Sequence, residues 1–142
     1  MTARDNKERD RVRERGDQMK RVEDLDVFKL SHALVLEIYE MTKSFPNEER
    51  FGLVSQMRRA AYSIPMNLME GAHRLGSKEY KQFVSIARGS AGEIKYQLLL
   101  VKDLGYISDE EYSRLASQYE RVSQMLTKLA GSLARRQFPI LA

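Results

Sequence analysis

Six cations stand between positions 58 and 88 of this chain: Arg58, Arg59, Arg74, Lys78, Lys81 and Arg88. Their spacing places them around the turn between two helices. Guanidinium and ammonium groups gathered on one surface suit phosphate, because such contacts supply affinity without reading a base sequence. Two other roles stay open. Arg58 and Arg59 can pair with acids such as Glu70 or Glu93 and hold a bundle or an interface together, and Arg74, Lys78 and Lys81 can be ordinary solvated surface. Asn67 lies two residues beyond Pro65, where its amide can satisfy a carbonyl that the proline leaves free.

Other chemistry is thinly supplied. Glu70-Gly71-Ala72-His73 has the Glu-x-x-His spacing of di-iron carboxylate bundles, but those sites need two such motifs and a glutamate from each of two further helices. The only other histidine, His32, has its next acid, Glu37, five residues on. No serine sits in a strand–turn–helix elbow and no glycine-rich loop follows a strand, so no nucleophile and no phosphate cradle is expected. With no cysteine the chain has no disulfide, thiolate metal site or cysteine nucleophile. The expectation is a protein that is not an enzyme, with no metal and no cofactor.

The distribution of charge matters more than its sum. Of the net +4, residues 1–22 carry +3, from eight Lys/Arg against five Asp/Glu, so the rest is nearly balanced. Any polyanion-binding footprint in the body must therefore come from clustering on one face. Residues 1–22 have too little apolar content to offset the entropy of ordering and read as a disordered or partly helical arm. Arg9, Arg11, Arg13 and Arg15 would serve an RNA-contacting tail. The interleaved acids favour a solvated one, and Met19 is an alternative start. The arm has no apolar core of the kind a secretory signal needs, and no run nears the roughly 18 apolar residues of a membrane span. These features place the protein in the cytoplasm.

The elements that would position the cations are four helices. Helix 1 is expected from about Leu25 to Ser44, capped by Asp24, with Val27, Leu34, Ile38, Met41 and Phe45 on one stripe. Phe28, Leu30, Val35, Leu36 and Tyr39 widen that surface, so helix 1 needs more than one neighbour and implies oligomerisation. Helix 2 is expected from Asn47 or Glu48, burying Phe51, Val54, Met57, Ala61, Ile64, Leu68 and Ala72, with a kink at Pro65. Helix 3 runs from a Ser77 cap to about Leu104. Its heptad seam comprises Tyr80, Val84, Ala87, Ala91, Ile94, Leu98 and Val101. Gly89 and Gly92 cost helix propensity, which suggests a close approach to helix 2. Gly105 closes the helix and Ser108 with Glu111 spells a capping box. Helix 4 then presents Tyr112, Leu115, Tyr119, Val122, Leu126, Leu129 and Leu133 as far as Arg136. Short links make this an all-α, antiparallel up-down-up-down four-helix bundle over 23–137. Phe138-Pro139-Ile140-Leu141 forms an apolar tail, over 138–142, suited to docking on a neighbour.

Several strings resemble a known family. Asp24-Leu25-Asp26-Val27-Phe28, Phe45-Pro46, Gln56-Met57-Arg58-Arg59-Ala60 and Ser63-Ile64-Pro65-x-Asn67-x-x-Glu70-Gly71 begin the match. Ser77-Lys78-Glu79, Ile86-Ala87-Arg88-Gly89-Ser90, Glu93 and Leu104-Gly105-Tyr106 continue it. Together they resemble the bacterial four-helix-bundle proteins encoded in 23S rRNA intervening sequences, a family also labelled S23 ribosomal protein. The likeness spans about 24–135 and is densest over 56–93. That family is in turn similar to the accessory variability proteins of diversity-generating retroelements, which form five-fold rings and bind a reverse transcriptase and nucleic acid. The resemblance implies a homopentamer associated with RNA or DNA. A scaffold that recruits a protein such as a reverse transcriptase, without touching nucleic acid, is the alternative.

Overall fold

A computed structural model describes residues 2–7 and 21–137 of the chain. The expected arm, the alternative start at Met19 and the apolar tail lie largely or wholly outside the described residues. Val22, the last residue assigned to the arm, is buried in the core.

The described fold is all-α. Four long helices, α1 (Asp26–Thr42), α2 (Leu53–Ala72), α3 (Ser77–Asp103) and α4 (Asp109–Gln137), pack as a bundle. Successive helices share the largest contacts, whereas α1 leans on α2 and touches α4 only lightly. The core follows the heptad seams. Val84, Ala87, Ala91, Ile94, Leu98 and Val101 of α3 are buried against Leu115, Tyr119, Val122, Leu126 and Leu133 of α4. Val27, Leu34, Ile38, Met41 and Phe45 close the core from the α1 side.

Local signals set several boundaries. Gly105 takes φ +79°. The Tyr106 and Gly105 amides donate to the Val101 and Lys102 carbonyls, a left-handed stop that satisfies two helix-end acceptors. Ser108 Oγ accepts the Glu111 amide at 3.1 Å, opening α4. Tyr106 joins the distant Asn47–Glu49 turn: its hydroxyl donates to Glu49 at 3.1 Å and its ring packs on Phe45.

Other expectations are corrected. Asp24 does not cap α1. It sits in a 3-10 turn, Val22–Asp24, and Leu25 occupies the cap position without a side-chain bond. Likewise Gly76, not Ser77, precedes the first residue of α3. Helix α2 starts at Leu53, later than Asn47, because the acidic segment closes into its own 3-10 turn and Gly52 breaks the run. Phe51 consequently leaves the core stripe and is 88% exposed.

The close approach expected at Gly89 and Gly92 is also elsewhere. A Cβ at either would meet nothing within 4 Å, since both face outward from α3. The tight position is Gly71, where a Cβ would lie 2.9 Å from Phe83 Cβ, 2.9 Å from Tyr80 Cδ1 and 3.3 Å from the Tyr80 carbonyl. Two of these neighbours are backbone or directly attached to it, so they cannot swing away. Gly71→Ala should therefore destabilise the fold by about 1–3 kcal/mol through overpacking. Gly89→Ala should stabilise it by roughly 0.5–1 kcal/mol, because alanine gains helix propensity in open space. Denaturant unfolding of the two variants beside the parent chain checks both signs.

Candidate nucleic-acid interface

The six cations are held in three places, not one. Arg58 lies in the second turn of α2 and Arg74 just beyond its far end, about 24 Å apart at the helical rise of 1.5 Å per residue. Arg74, Lys78 and Lys81 share the α2–α3 turn. The end of α4 reaches the same region, because the Arg136 guanidinium acts on Tyr80 and partly offsets the rise that burial imposes on its phenol. Arg88 stands on the outer side of α3, beside the Lys95–Glu120 ion pair that ties α3 to α4. That lysine's hydrogen bond holds the Glu120 carboxyl below the usual carboxylate range.

Their surroundings divide them further. Arg58 is half-buried and serves the α1–α2 contact. Its Nε donates to Thr42 Oγ1 at 2.9 Å, its Nη2 to the Tyr39 carbonyl at 3.2 Å, and the guanidinium lies over the Tyr39 ring at 4.5 Å. The expected partners Glu70 and Glu93 are not used. Thr42 Oγ1 in turn donates to the Ile38 carbonyl at 2.7 Å, so α1 presents a fixed acceptor to α2. Arg74 is engaged as well: it bonds Glu70 at 3.1 Å, lies 4.0 Å from Glu79 and covers the Phe83 ring at 5.0 Å. Arg59, Lys78, Lys81 and Arg88 are exposed. Among the described residues none of these four has a carboxylate within 4.0 Å.

The remaining polar candidates have local roles. Asn67 Nδ2 donates to the Ser63 carbonyl at 2.7 Å and to Ser63 Oγ at 2.9 Å, so the carbonyl it satisfies is not that of Ala61, which Pro65 leaves without a donor. Ser63 Oγ and Ser90 Oγ, 2.9 Å apart, join α2 to α3. Glu70 turns to Arg74, and His73 Nδ1 lies 2.8 Å from the Met69 carbonyl, so the Glu-x-x-His pair does not converge. Among the described residues no three His, Cys, Asp or Glu side chains gather into a metal-sized group. No described helix is long and apolar enough to cross a membrane.

Two surface features have no clear signature in the sequence. An open groove of about 870 Å³ runs beside α2, floored by Phe28, Tyr62, Pro65, Met66 and Met69 and edged by Arg74. A second hollow of about 420 Å³ lies between Tyr39 of α1 and the start of α2, and brings Arg50 and Phe51 to Arg58, Arg59 and Tyr62. Arg50 is hard to single out because it stands alone in an acidic segment, and Phe51 because its spacing from Val54 and Met57 fits a core stripe.

The described residues thus form an all-α bundle that carries Arg59, Lys78, Lys81 and Arg88 on its outer faces. The chain belongs to the 23S rRNA-intervening sequence protein family, whose model matches residues 23–128. A solved structure from Bacteroides thetaiotaomicron, of a protein of unknown function from the S23 ribosomal protein family, shares the fold with a TM-score of 0.69. It is 24% identical, over 74% of this chain and 95% of that one. No curated protein matches the chain.

Arg58 gives the sharpest local test. Arg58→Lys keeps the charge but loses the planar stack on Tyr39 and the fixed bond to Thr42. It should destabilise the fold by about 1–2 kcal/mol, read as a lower denaturant midpoint.

Proposed function

We propose that this protein is a non-enzymatic, nucleic-acid-associated accessory protein that works as a homo-oligomer, a five-membered ring by its family resemblance. It grips RNA or DNA through cations on the assembled surface. The observation that carries this reading is the set of four exposed cations, Arg59, Lys78, Lys81 and Arg88, with no carboxylate partner among the described residues. Arg74, by contrast, is neutralised by Glu70 and Glu79. Arg59, Lys78 and Lys81 keep their field for a polyanion, and Arg88 shares its own with nearby Glu120.

The ring is supported by apolar surface that one chain leaves uncovered. Leu36, Met66 and the Phe28–Met69 groove lie exposed or open on α1 and α2, and α1 shares least with the rest of the bundle. We read the bundle as antiparallel, up-down-up-down. Gly71 meets Tyr80 while Ser63 meets Ser90, and Lys102 meets Tyr112 while Lys95 meets Glu120, so partners run in opposite senses along the sequence. A bend of α2 at Pro65 belongs to the same reading, since the proline offers no amide hydrogen to the Ala61 carbonyl. The apolar groove also favours a second reading, in which a protein such as a reverse transcriptase docks on the ring.

Purified full-length protein should shift RNA or DNA at about 50 mM salt and release it as salt rises, the signature of counterion release. Lys78→Glu combined with Lys81→Glu should weaken binding, and the slope of log K against log salt should become shallower by about 0.7–0.9 for each phosphate that the variant no longer neutralises. These lysines are better probes than Arg58 or Arg74, whose reversal would also disturb the bundle. No binding at about 50 mM salt overturns the reading. A monomer in light scattering overturns the ring.

A further inference from the structure

We infer that the hollow at the α1–α2 junction is a binding site for single-stranded nucleic acid, in which Phe51 stacks on an unpaired base while Arg50 and Arg59 hold the flanking phosphates. This rests on the nucleic-acid reading above and assigns it a site. The observations are independent of the lysines at the α2–α3 turn. Arg50, Arg58 and Arg59 converge on the hollow with Tyr39, Phe51 and Tyr62, and no carboxylate lines it. Guanidinium and aromatic surfaces alternate: Arg58 lies 4.5 Å over the Tyr39 ring and Arg50 5.4 Å over Phe51. An adjoining hollow of about 230 Å³ shares Arg50, Val54 and Arg58 and is likewise free of acids, so the basic track is longer than one nucleotide.

This chemistry selects its ligand. Arginine planes and aromatic rings stack on any base, because every base has a π-face, and guanidiniums track a phosphate backbone. Duplex bases are already stacked and offer no free face to Phe51. The site is preorganised as well. Arg58 is fixed by Thr42 and the Tyr39 carbonyl, so it adds positive charge at the floor without an ordering cost on binding. Phe51 is held outward by the turn that ends at Gly52, whose amide donates to the Glu49 carbonyl. The larger groove beside α2 offers apolar side chains, and its edge carries Glu70 as well as Arg74. It suits protein, not polyanion.

The chain has no tryptophan, so Phe51→Trp installs its one indole, excited selectively at wavelengths the tyrosines do not absorb, at the stacking position. Titration with oligothymidylate should quench it to saturation, and a duplex of equal length should leave it nearly unchanged. Phe51→Ala should melt like the parent, bind duplex equally, and bind the single strand at least about five-fold more weakly, the minimum for losing one stacked base. Arg50→Glu with Arg59→Glu should weaken both ligands. The site is refuted if oligothymidylate binds the Phe51→Trp variant without quenching its indole fluorescence, or if Phe51→Ala binds single strands as tightly as the parent. It is also refuted if Phe51→Ala lowers the oligomer mass in light scattering, which would make the phenyl ring a subunit contact. If the parent binds no nucleic acid at all, the broader reading falls with it; if the parent binds and only Phe51 is indifferent, this site alone falls.

Discussion

The distance between α2 and α3 is set at Gly71. A hydrogen in place of a methyl lets Phe83 and the Tyr80 backbone approach to within contact of the α2 backbone. That approach fixes the start of α3 under the end of α2. It brings Ser63 to Ser90 between two and three turns along and leaves the His73–Gly76 link on the surface. Much of the remaining packing follows, because α3 carries the seam on which α4 is laid. The constraint is steric, and it acts through a single position.

Which cations remain available is decided by the same geometry. At the α2–α3 turn Arg74 is drawn onto Phe83 and the two glutamates, while its neighbours Lys78 and Lys81 point to solvent. At the other end of α2 the arrangement is reversed. Arg58 is anchored to neutral acceptors, a hydroxyl and a carbonyl, and Arg59 stays free in solvent. Two adjacent arginines on one helix therefore differ in character, because helical geometry turns them about 100° apart.

The sequence makes the interior legible and the surface less so. The seams of α3 and α4 are readable because burial repeats with the helix, and nearly every residue assigned to them lies in the core. Gly105 and Ser108 are readable because each position demands a particular local chemistry. Phe51 misleads because apolar spacing does not reveal where the backbone stops being helical. Gly89 and Gly92 mislead because low propensity says that something other than helix formation chose them, without saying which face they occupy. The cations look like one group in the sequence, because nearness along the chain becomes a separation of several turns only once helices form. Arg58 has acids within reach of a sequence argument. It bonds instead to acceptors that its own side chain can reach, and periodicity carries no trace of these.

Arg58 has one more consequence. A guanidinium bonded only to neutral oxygens keeps its whole charge, and beside it Arg50 and Arg59 add two more within one acid-free hollow. The native chain thus holds together like charges that an extended chain would spread apart, and their mutual repulsion works against folding. Multivalent anions in the surrounding solution relieve that repulsion and, by mass action, draw the equilibrium toward the native form. The resilience of this bundle is accordingly shared with its ionic medium, and a buffer of phosphate and one of chloride present it as two differently stable proteins.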